Sequence, residues 1–159
     1  DAPVRFVESP SGEIAILDSS GGLFLLLPDY TLHIVDGGVK HVAFDSTGKK
    51  MLIQKDNRLE IIWRSENKNQ PFQKLGTRED ILSIQDLNEA IQDTDWYFGD
   101  NAHIVIHMKN GVYLTEIDGR GGRNTIELLN MPLDEVMKTK EYTEAIFFKQ
   151  GKNVYHVTL

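Results

Sequence analysis

His103-Ile104-Val105-Ile106-His107-Met108-Lys109-Asn110-Gly111-Val112-Tyr113-Leu114-Thr115-Glu116-Ile117 reads as two apolar runs joined by a polar turn. Asn-Gly between such runs is a strong hairpin signal, because both central positions of a type I′ turn need positive φ. A hairpin turning at Asn110-Gly111 is therefore predicted. The same pattern recurs three more times, with first strands opening at Ile14, Met51 and Ala145 in addition to Ile104. The matching second strands span 23–27, 59–63, 112–117 and 154–159. The openings lie 37, 53 and 41 residues apart. A period near 40 residues carrying only strand and turn signals is that of a β-propeller blade. The predicted fold is all-β, with four propeller-type blades at about 1–38, 39–88, 89–131 and 132–159 in a single domain. Four blades form either a small ring or a half-ring, or a fragment of a larger propeller.

Around each hairpin the flanking strands can be read. Val4 to Val7 and Thr31 to Val35 flank the first, and Val39 to Phe44 leads the second. Along the second hairpin, Leu59, Ile61 and Trp63 alternate with Glu60, Ile62 and Arg64, which predicts one well-buried face and one partly covered face. Ser65 to Gly76 is a polar insertion holding Pro71, and it accounts for most of the long interval. The stretch after it is ambiguous. Thr77 and Asp80, followed by Ile81, Ile84, Leu87 and Ile91, fit a capped helix. The repeat instead asks for an outer strand at 81–84 and an inner strand at 90–98, and that reading is preferred. Thr125 to Leu129 closes the third blade, and Leu133 to Lys138 weakly opens the fourth. No fourth strand for the last blade is visible, so its sheet would be completed by Val4 to Val7 or by a second copy of the chain.

Composition limits the function. Of 159 residues, 40% are hydrophobic and 26% charged, which is ordinary for a folded domain. The net charge of −7 argues against nucleic-acid and anionic-membrane binding. No apolar stretch approaches the roughly 18 residues of a membrane span. With no cysteine, disulfides, thiolate metal sites and cysteine nucleophiles are all excluded. The first residue is Asp1 rather than Met, which points to an excised or processed piece.

Three phrases carry a family resemblance: Val42-Ala43-Phe44-Asp45-Ser46-Thr47-Gly48-Lys49-Lys50-Met51-Leu52, Asp93-Thr94-Asp95-Trp96-Tyr97-Phe98 leading into His103-Ile104-Val105, and Glu116-Ile117-Asp118-Gly119-Arg120. The chain resembles the extracytoplasmic bacterial propellers of the TolB-like and WD40-like type, including those that accompany PEGA domains. The Gly-His and Trp-Asp dipeptides of eukaryotic WD40 repeats are absent. The resemblance implies a noncatalytic binding or scaffolding module, extracytoplasmic or in the cell envelope and part of a longer chain. The resemblance implies no catalytic residue, and the expected partner is a protein or, from the incomplete last blade, a second copy of the chain.

His103 and His107 would share a helix face but lie about 13 Å apart on a strand, too far for one zinc ion. Ser46-Thr47-Gly48-Lys49 and Ser65-Glu66-Asn67-Lys68 match S-x-x-K spacing, but the companion elements of that chemistry are missing. Gly48-Lys49-Lys50 lacks the upstream Gly, the hydroxyl residue and the helix of a P-loop. Asp93, Asp95, Asp100 and Asp118 form an acidic group that calcium would need to draw together. Asp118, Arg120, Arg123 and Asn124 make the most distinctive loop, since two arginines on a Gly-rich turn can grip a carboxylate or phosphate. No metal or cofactor is expected. The aromatics Trp63, Trp96, Tyr97, Phe98, Phe147 and Phe148 are assigned to the core. The competing functions are an enzyme or enzyme accessory domain walled by Ser65–Gly76 and Asp118–Asn124, and a carbohydrate-binding module displaying exposed Trp or Tyr.

Overall fold

A computed structural model describes residues 3–56, 58–66, 75–83, 90–97, 100–120, 122–137 and 145–158. The described residues contain fifteen strands and no helix. The first sheet is β1 (Arg5–Glu8), β2 (Ile14–Leu17), β3 (Leu23–Leu26) and β4 (Leu32–Asp36). Next come β5 (Val39–Phe44), β6 (Lys50–Lys55), β7 (Arg58–Trp63) and β8 (Arg78–Ser83). The third comprises β9 (Ile91–Trp96), β10 (His103–Met108), β11 (Gly111–Glu116) and β12 (Thr125–Leu129). The last holds β13 (Glu135–Met137), β14 (Ala145–Gln150) and β15 (Asn153–Thr158). Each sheet is an antiparallel meander in chain order, which is the build of a propeller blade. The chain divides into two compact units, residues 1–88 and 89–159. The division falls where the sequence separates the second blade from the third.

The ambiguous stretch resolves toward strands at both ends. Arg78–Ser83 pairs with β7 and Ile91–Trp96 pairs with β10. Residues 84–89 lie outside the described set, as do most of the insertion (67–74), Asn57, Phe98, Gly99 and Gly121.

In the first unit the core joins Ala15, Leu17, Leu23 and Leu25 of the first sheet to Val39, Val42, Met51, Ile53 and Ile62 of the second. In the second unit Val105, Val112 and Leu114 meet Leu133, Ile146 and Phe148. Within each strand these residues lie two apart, as a period of two requires, except Val39 and Val42, between which the register shifts at a bulge.

The prediction for β7 is corrected. Leu59, Glu60, Ile61, Ile62 and Trp63 are all buried, so both faces of that strand are covered. Glu60 can be inside because Arg58, Lys55 and Arg78 surround its carboxylate. The Asn110-Gly111 turn is corrected too. The hairpin forms, but Met108 pairs with Gly111 and the two-residue loop is Lys109-Asn110. Among the described non-glycine residues only Tyr30 has positive φ, so no type I′ turn is made there. Gly111 is needed for another reason. A Cβ on it would sit 2.4 Å from the backbone oxygen of Leu129 on β12. Gly111→Ala is therefore expected to displace β12 and cost about 1–3 kcal/mol, the usual penalty of forcing extra atoms into a packed site. Urea unfolding of the variant measures it, and an unchanged midpoint would contradict the register.

The N-terminal strand does not complete the last blade. Arg5–Glu8 pairs with Ile14–Leu17 in the first sheet. In the last sheet the order is β13-β14-β15, leaving β15 at the edge, whereas the third strand of every other sheet is flanked by a fourth.

Candidate functional site

The Asp118–Asn124 loop follows β11, and its polar groups bond one another or the backbone at the end of that strand. The Arg120 guanidinium donates from Nε to both carboxylate oxygens of Asp118, at 2.9 and 3.0 Å, and from Nη2 to Oδ2. The Arg120 N–H adds a bond of 3.0 Å to Asp118 Oδ1. These side-chain and backbone hydrogen bonds hold the Asp118 carboxyl at about 2. Arg123 Nη2 donates to the Ile117 carbonyl at 3.1 Å, and the Asn124 carbonyl accepts from the Glu116 N–H at 3.0 Å. The structure thus brings Asp118 and Arg120 together, with the Nε–Nη2 edge of Arg120 engaged by Asp118, while Arg123 and Asn124 bond the backbone at Ile117 and Glu116. An incoming anion would have to displace that carboxylate.

The other candidates are separated. His103 and His107 lie on one strand. His103 Nδ1 is 2.7 Å from Asp100 Oδ2, while His107 is buried opposite Asp93. Burial lowers the His107 pKa, with Asp93 and a backbone bond at Leu133 opposing the shift. Asp100 accepts from the N–H groups of Ala102 and His103 at 2.8 and 2.9 Å, so it works as a turn lock. Among the described residues, no three His, Asp or Glu side chains are placed to hold a metal ion.

Ser46-Thr47-Gly48-Lys49 is the turn between β5 and β6. Buried Asp45 accepts there from Lys49 N–H (2.8 Å), Lys50 N–H (3.1 Å) and Thr47 Oγ1 (2.9 Å). Gly48 has φ 69° and sits against the Ser9-Pro10-Ser11 turn, where a Cβ would meet Ser9 Oγ at 2.6 Å. The turn carries packing rather than a nucleophile. Trp63, Trp96 and Phe148 are buried, while Tyr97 and Phe147 are half-buried. The tryptophans of a sugar-stacking platform are therefore in the core.

Two features were missed by sequence reasoning. The first is an ion network joining the first two blades. Asp36 at the end of β4 pairs with Lys55 (2.9 Å) and Arg78, and Arg78 also reaches Glu60 (3.2 Å) and the Val35 carbonyl (2.5 Å). A second tie is the two-point contact from Arg64 to Glu13 at 2.6 and 3.2 Å. Burial alone would raise the Asp36 carboxyl, but hydrogen bonds from Lys55, Arg78 and the Gly37 N–H outweigh it and hold the group at about 2. A lowered carboxylate stabilises the fold above its unfolded pKa, and that contribution disappears as pH falls from about 4 toward 2. Asp36→Asn should cost about 1 kcal/mol at neutral pH after solvent screening. The difference from the parent chain should vanish near pH 2. Denaturant midpoints measured between pH 7 and pH 2 check the trend, and a constant difference would refute it.

The second feature is the outer face of the first sheet, opposite the core. Cross-strand pairing aligns Phe6, Ile16, Phe24 and Ile34 in one row, and Glu8, Ile14, Leu26 and Leu32 in the next. Seven of these eight side chains are apolar. Phe6 is 68% exposed, Leu32 55% and Ile34 82%, and the four between them are half-buried. The signal was present in the sequence. Ile14-Ala15-Ile16-Leu17 and Leu23-Phe24-Leu25-Leu26 are unbroken apolar runs, the mark of strands covered on both faces. By contrast, the face of the last sheet opposite its core presents Phe147, Lys149, Val154, His156 and Thr158.

The described residues of the first unit border clefts of modest size. One of about 360 Å³ is bordered by Arg5, Asp18, Lys40 and Asp56, with Lys40 and Asp56 paired at 3.5 Å. Another of about 280 Å³ is lined by Leu25, Leu27 and Ile62 beside Arg64 and Arg78. Both arginines are held by the carboxylates already described. Among the described residues no helix is long and apolar enough to cross a membrane.

No protein-family model matches the sequence, and no curated protein is significantly similar to it. Solved structures match in fold. The extracellular domain of a hybrid two-component system from B. thetaiotaomicron superposes with a TM-score of 0.68 at 10% identity, over 98% of this chain and 20% of that one. A chain of the yeast heterotrimeric nucleoporin complex gives 0.56 at 13% identity, over 98% and 42%. The WD40 domain of SCAP from fission yeast gives 0.53 at 14%, over 99% and 41%. The chain has a propeller-type, WD40-like fold. It spans about a fifth of the bacterial domain and under half of each of the two yeast chains.

Proposed function

We propose that this chain is a noncatalytic binding or scaffolding part of a larger extracytoplasmic bacterial propeller, and that its partner is a protein. The observation that carries the reading is the outer face of the first sheet. An ordered apolar sheet face with Phe6 and Ile34 largely exposed offers shape and hydrophobic area but few polar groups to orient a small substrate. Protein surfaces meet such faces. The loop arginines support the same reading, because Asp118 and the Ile117 carbonyl take their hydrogen bonds.

Kinship with the TolB-like and PEGA-associated propellers belongs to this proposal and rests on the phrases around Asp45, Trp96 and Asp118. The extracytoplasmic placement is supported by that resemblance and by the extracellular origin of the bacterial domains similar in fold. A longer parent protein is supported by the small share of that domain which this chain spans.

A photo-crosslinking amino acid at Ile34, introduced in the producing cell, tests the reading. Discrete protein adducts are expected at that position and not at exposed Glu127 of the third sheet. Absence of adducts at Ile34, or a loss of some enzymatic activity on replacing Arg120 and Arg123, would overturn it.

A further inference from the structure

We infer that Asn110 is a site of spontaneous deamidation and isoaspartate formation, and that its conversion loosens the outer strand of the third sheet. The co-reactant is water, and the group lost is ammonia.

Three dipeptides set an Asp or Asn before glycine: Asp36-Gly37, Asn110-Gly111 and Asp118-Gly119. Glycine leaves its own nitrogen uncrowded, so that nitrogen can turn on the side-chain Cγ of the residue before it. At Asn110 the Gly111 nitrogen loses its proton and bonds to Cγ, while the C–N bond of the side-chain amide breaks and ammonia leaves. Water then opens the resulting succinimide ring. Opening at Cγ gives aspartate. Opening at the main-chain carbonyl gives isoaspartate, whose chain runs on through Cβ and Cγ.

The fold holds the two aspartates out of this route. A carboxylate has no leaving group until it is protonated. Asp36 Oδ2 accepts from Lys55 at 2.9 Å and from Arg78, and Oδ1 accepts from the Gly37 N–H at 2.7 Å. Both carboxylate oxygens of Asp118 accept from Arg120. Each carboxyl stands at about 2, which lowers its protonated fraction at neutral pH on the order of a hundredfold relative to an ordinary aspartate. Asn110 needs no such protonation, because its amide already carries the leaving nitrogen. It is exposed in the two-residue loop, within reach of water and base.

Conversion has a structural consequence. Isoaspartate adds a methylene to the main chain of a loop whose two residues close on the Met108–Gly111 pair. Hairpin register follows loop length, so that pair cannot hold its place. Gly111 has no room to move toward β12, since even a Cβ on it would sit 2.4 Å from the Leu129 oxygen. The displacement therefore passes to β12, which ends the strand order of its sheet.

The purified protein is aged in neutral buffer, folded and in parallel unfolded in guanidinium chloride. Peptide mass spectrometry and an isoaspartate-specific methyl-transfer assay then read each site. In the folded chain, conversion is expected at Asn110 and not at Asp36 or Asp118. In the unfolded chain, isoaspartate is expected at all three. Hydrogen exchange of the aged folded protein should rise several-fold in Thr125–Leu129 and stay unchanged in the first unit. Asn110→Asp carries the charge of one product without the added methylene and should keep the parent's exchange, and Asn110→Ala should not age. A folded chain intact at Asn110 after the unfolded chain has converted overturns the inference. So does isoaspartate at Asp36 or Asp118 in the folded chain, or conversion at Asn110 that leaves the exchange of Thr125–Leu129 unaltered.

Discussion

Replacing Glu60 by Ala is expected to destabilise the first unit by about 3–5 kcal/mol, the usual cost of removing one partner from a buried ion pair. The Glu60 side chain is 3% exposed and lies 2.6 Å from Arg58, 3.2 Å from Arg78 and 3.4 Å from Lys55. Without it, Asp36 is left to balance Lys55 and Arg78, and Arg58 loses its acidic partner. Arg58 and Arg78 are each more than 40% exposed and can recover water, which places the cost toward the lower end of that range. Lys55 is 15% exposed and cannot recover as much. Glu60→Gln keeps the volume and some hydrogen bonding, so it should cost less. Chemical denaturation of the two variants ranks them. An Ala variant as stable as the parent would show that Glu60 is not enclosed by those cations.

The second large effect is expected at Phe148. Its side chain is fully buried between Val105, Val112 and Leu114 of the third blade and Leu133 and Ile146 of the fourth. Phe148→Ala removes a ring from a dry core and should cost about 3–5 kcal/mol in the second unit. Phe147 points to the opposite face, is half-buried and lies 5.9 Å from the His156 ring. Phe147→Ala should cost about 1 kcal/mol, because most of what it loses is one aromatic contact. The contrast is sharp because a one-residue slip of β14 would exchange the two roles. Thermal melts of the pair decide it. Equal losses, or the larger loss at Phe147, would place the strand in the wrong register.

The blade array was legible because a strand and its turn announce themselves locally. Apolar runs at 14–17, 51–53, 104–106 and 145–148 each became the second strand of a sheet, and the interval of about 40 residues was that of the meander. Where the sequence misled, a long-range contact had decided the matter. Asn110-Gly111 has the composition of a type I′ turn, but the glycine is required by the approach of Leu129, a strand away. Glu60 reads as a residue of a partly covered face, and its full burial depends on Lys55 and Arg78 from neighbouring strands. The helix stripe around Ile81 and Ile91 was genuine periodicity, overridden at 78–83 and 91–96 by pairing with β7 and β10.

The candidate surface was half legible. The sequence marks Arg120 and Arg123 as donors, but it is the folded loop that turns them onto Asp118 and the Ile117 carbonyl. The apolar face was written in the runs 14–17 and 23–26, but a continuous run does not say which side lacks a cover. That answer needed the register of Phe6, Ile16, Phe24 and Ile34 and the position of the core behind them.

The central claim is that this outer face of the first blade meets protein. Hydroxyl-radical footprinting tests it most directly, by comparing dilute purified protein with the same protein in its native cells. The account predicts that oxidation of Phe6, Leu32 and Ile34 is high in the dilute protein and falls several-fold in cells, while Val154 and Tyr155 of the last sheet change little. Equal oxidation of Phe6, Leu32 and Ile34 in the two settings would contradict it.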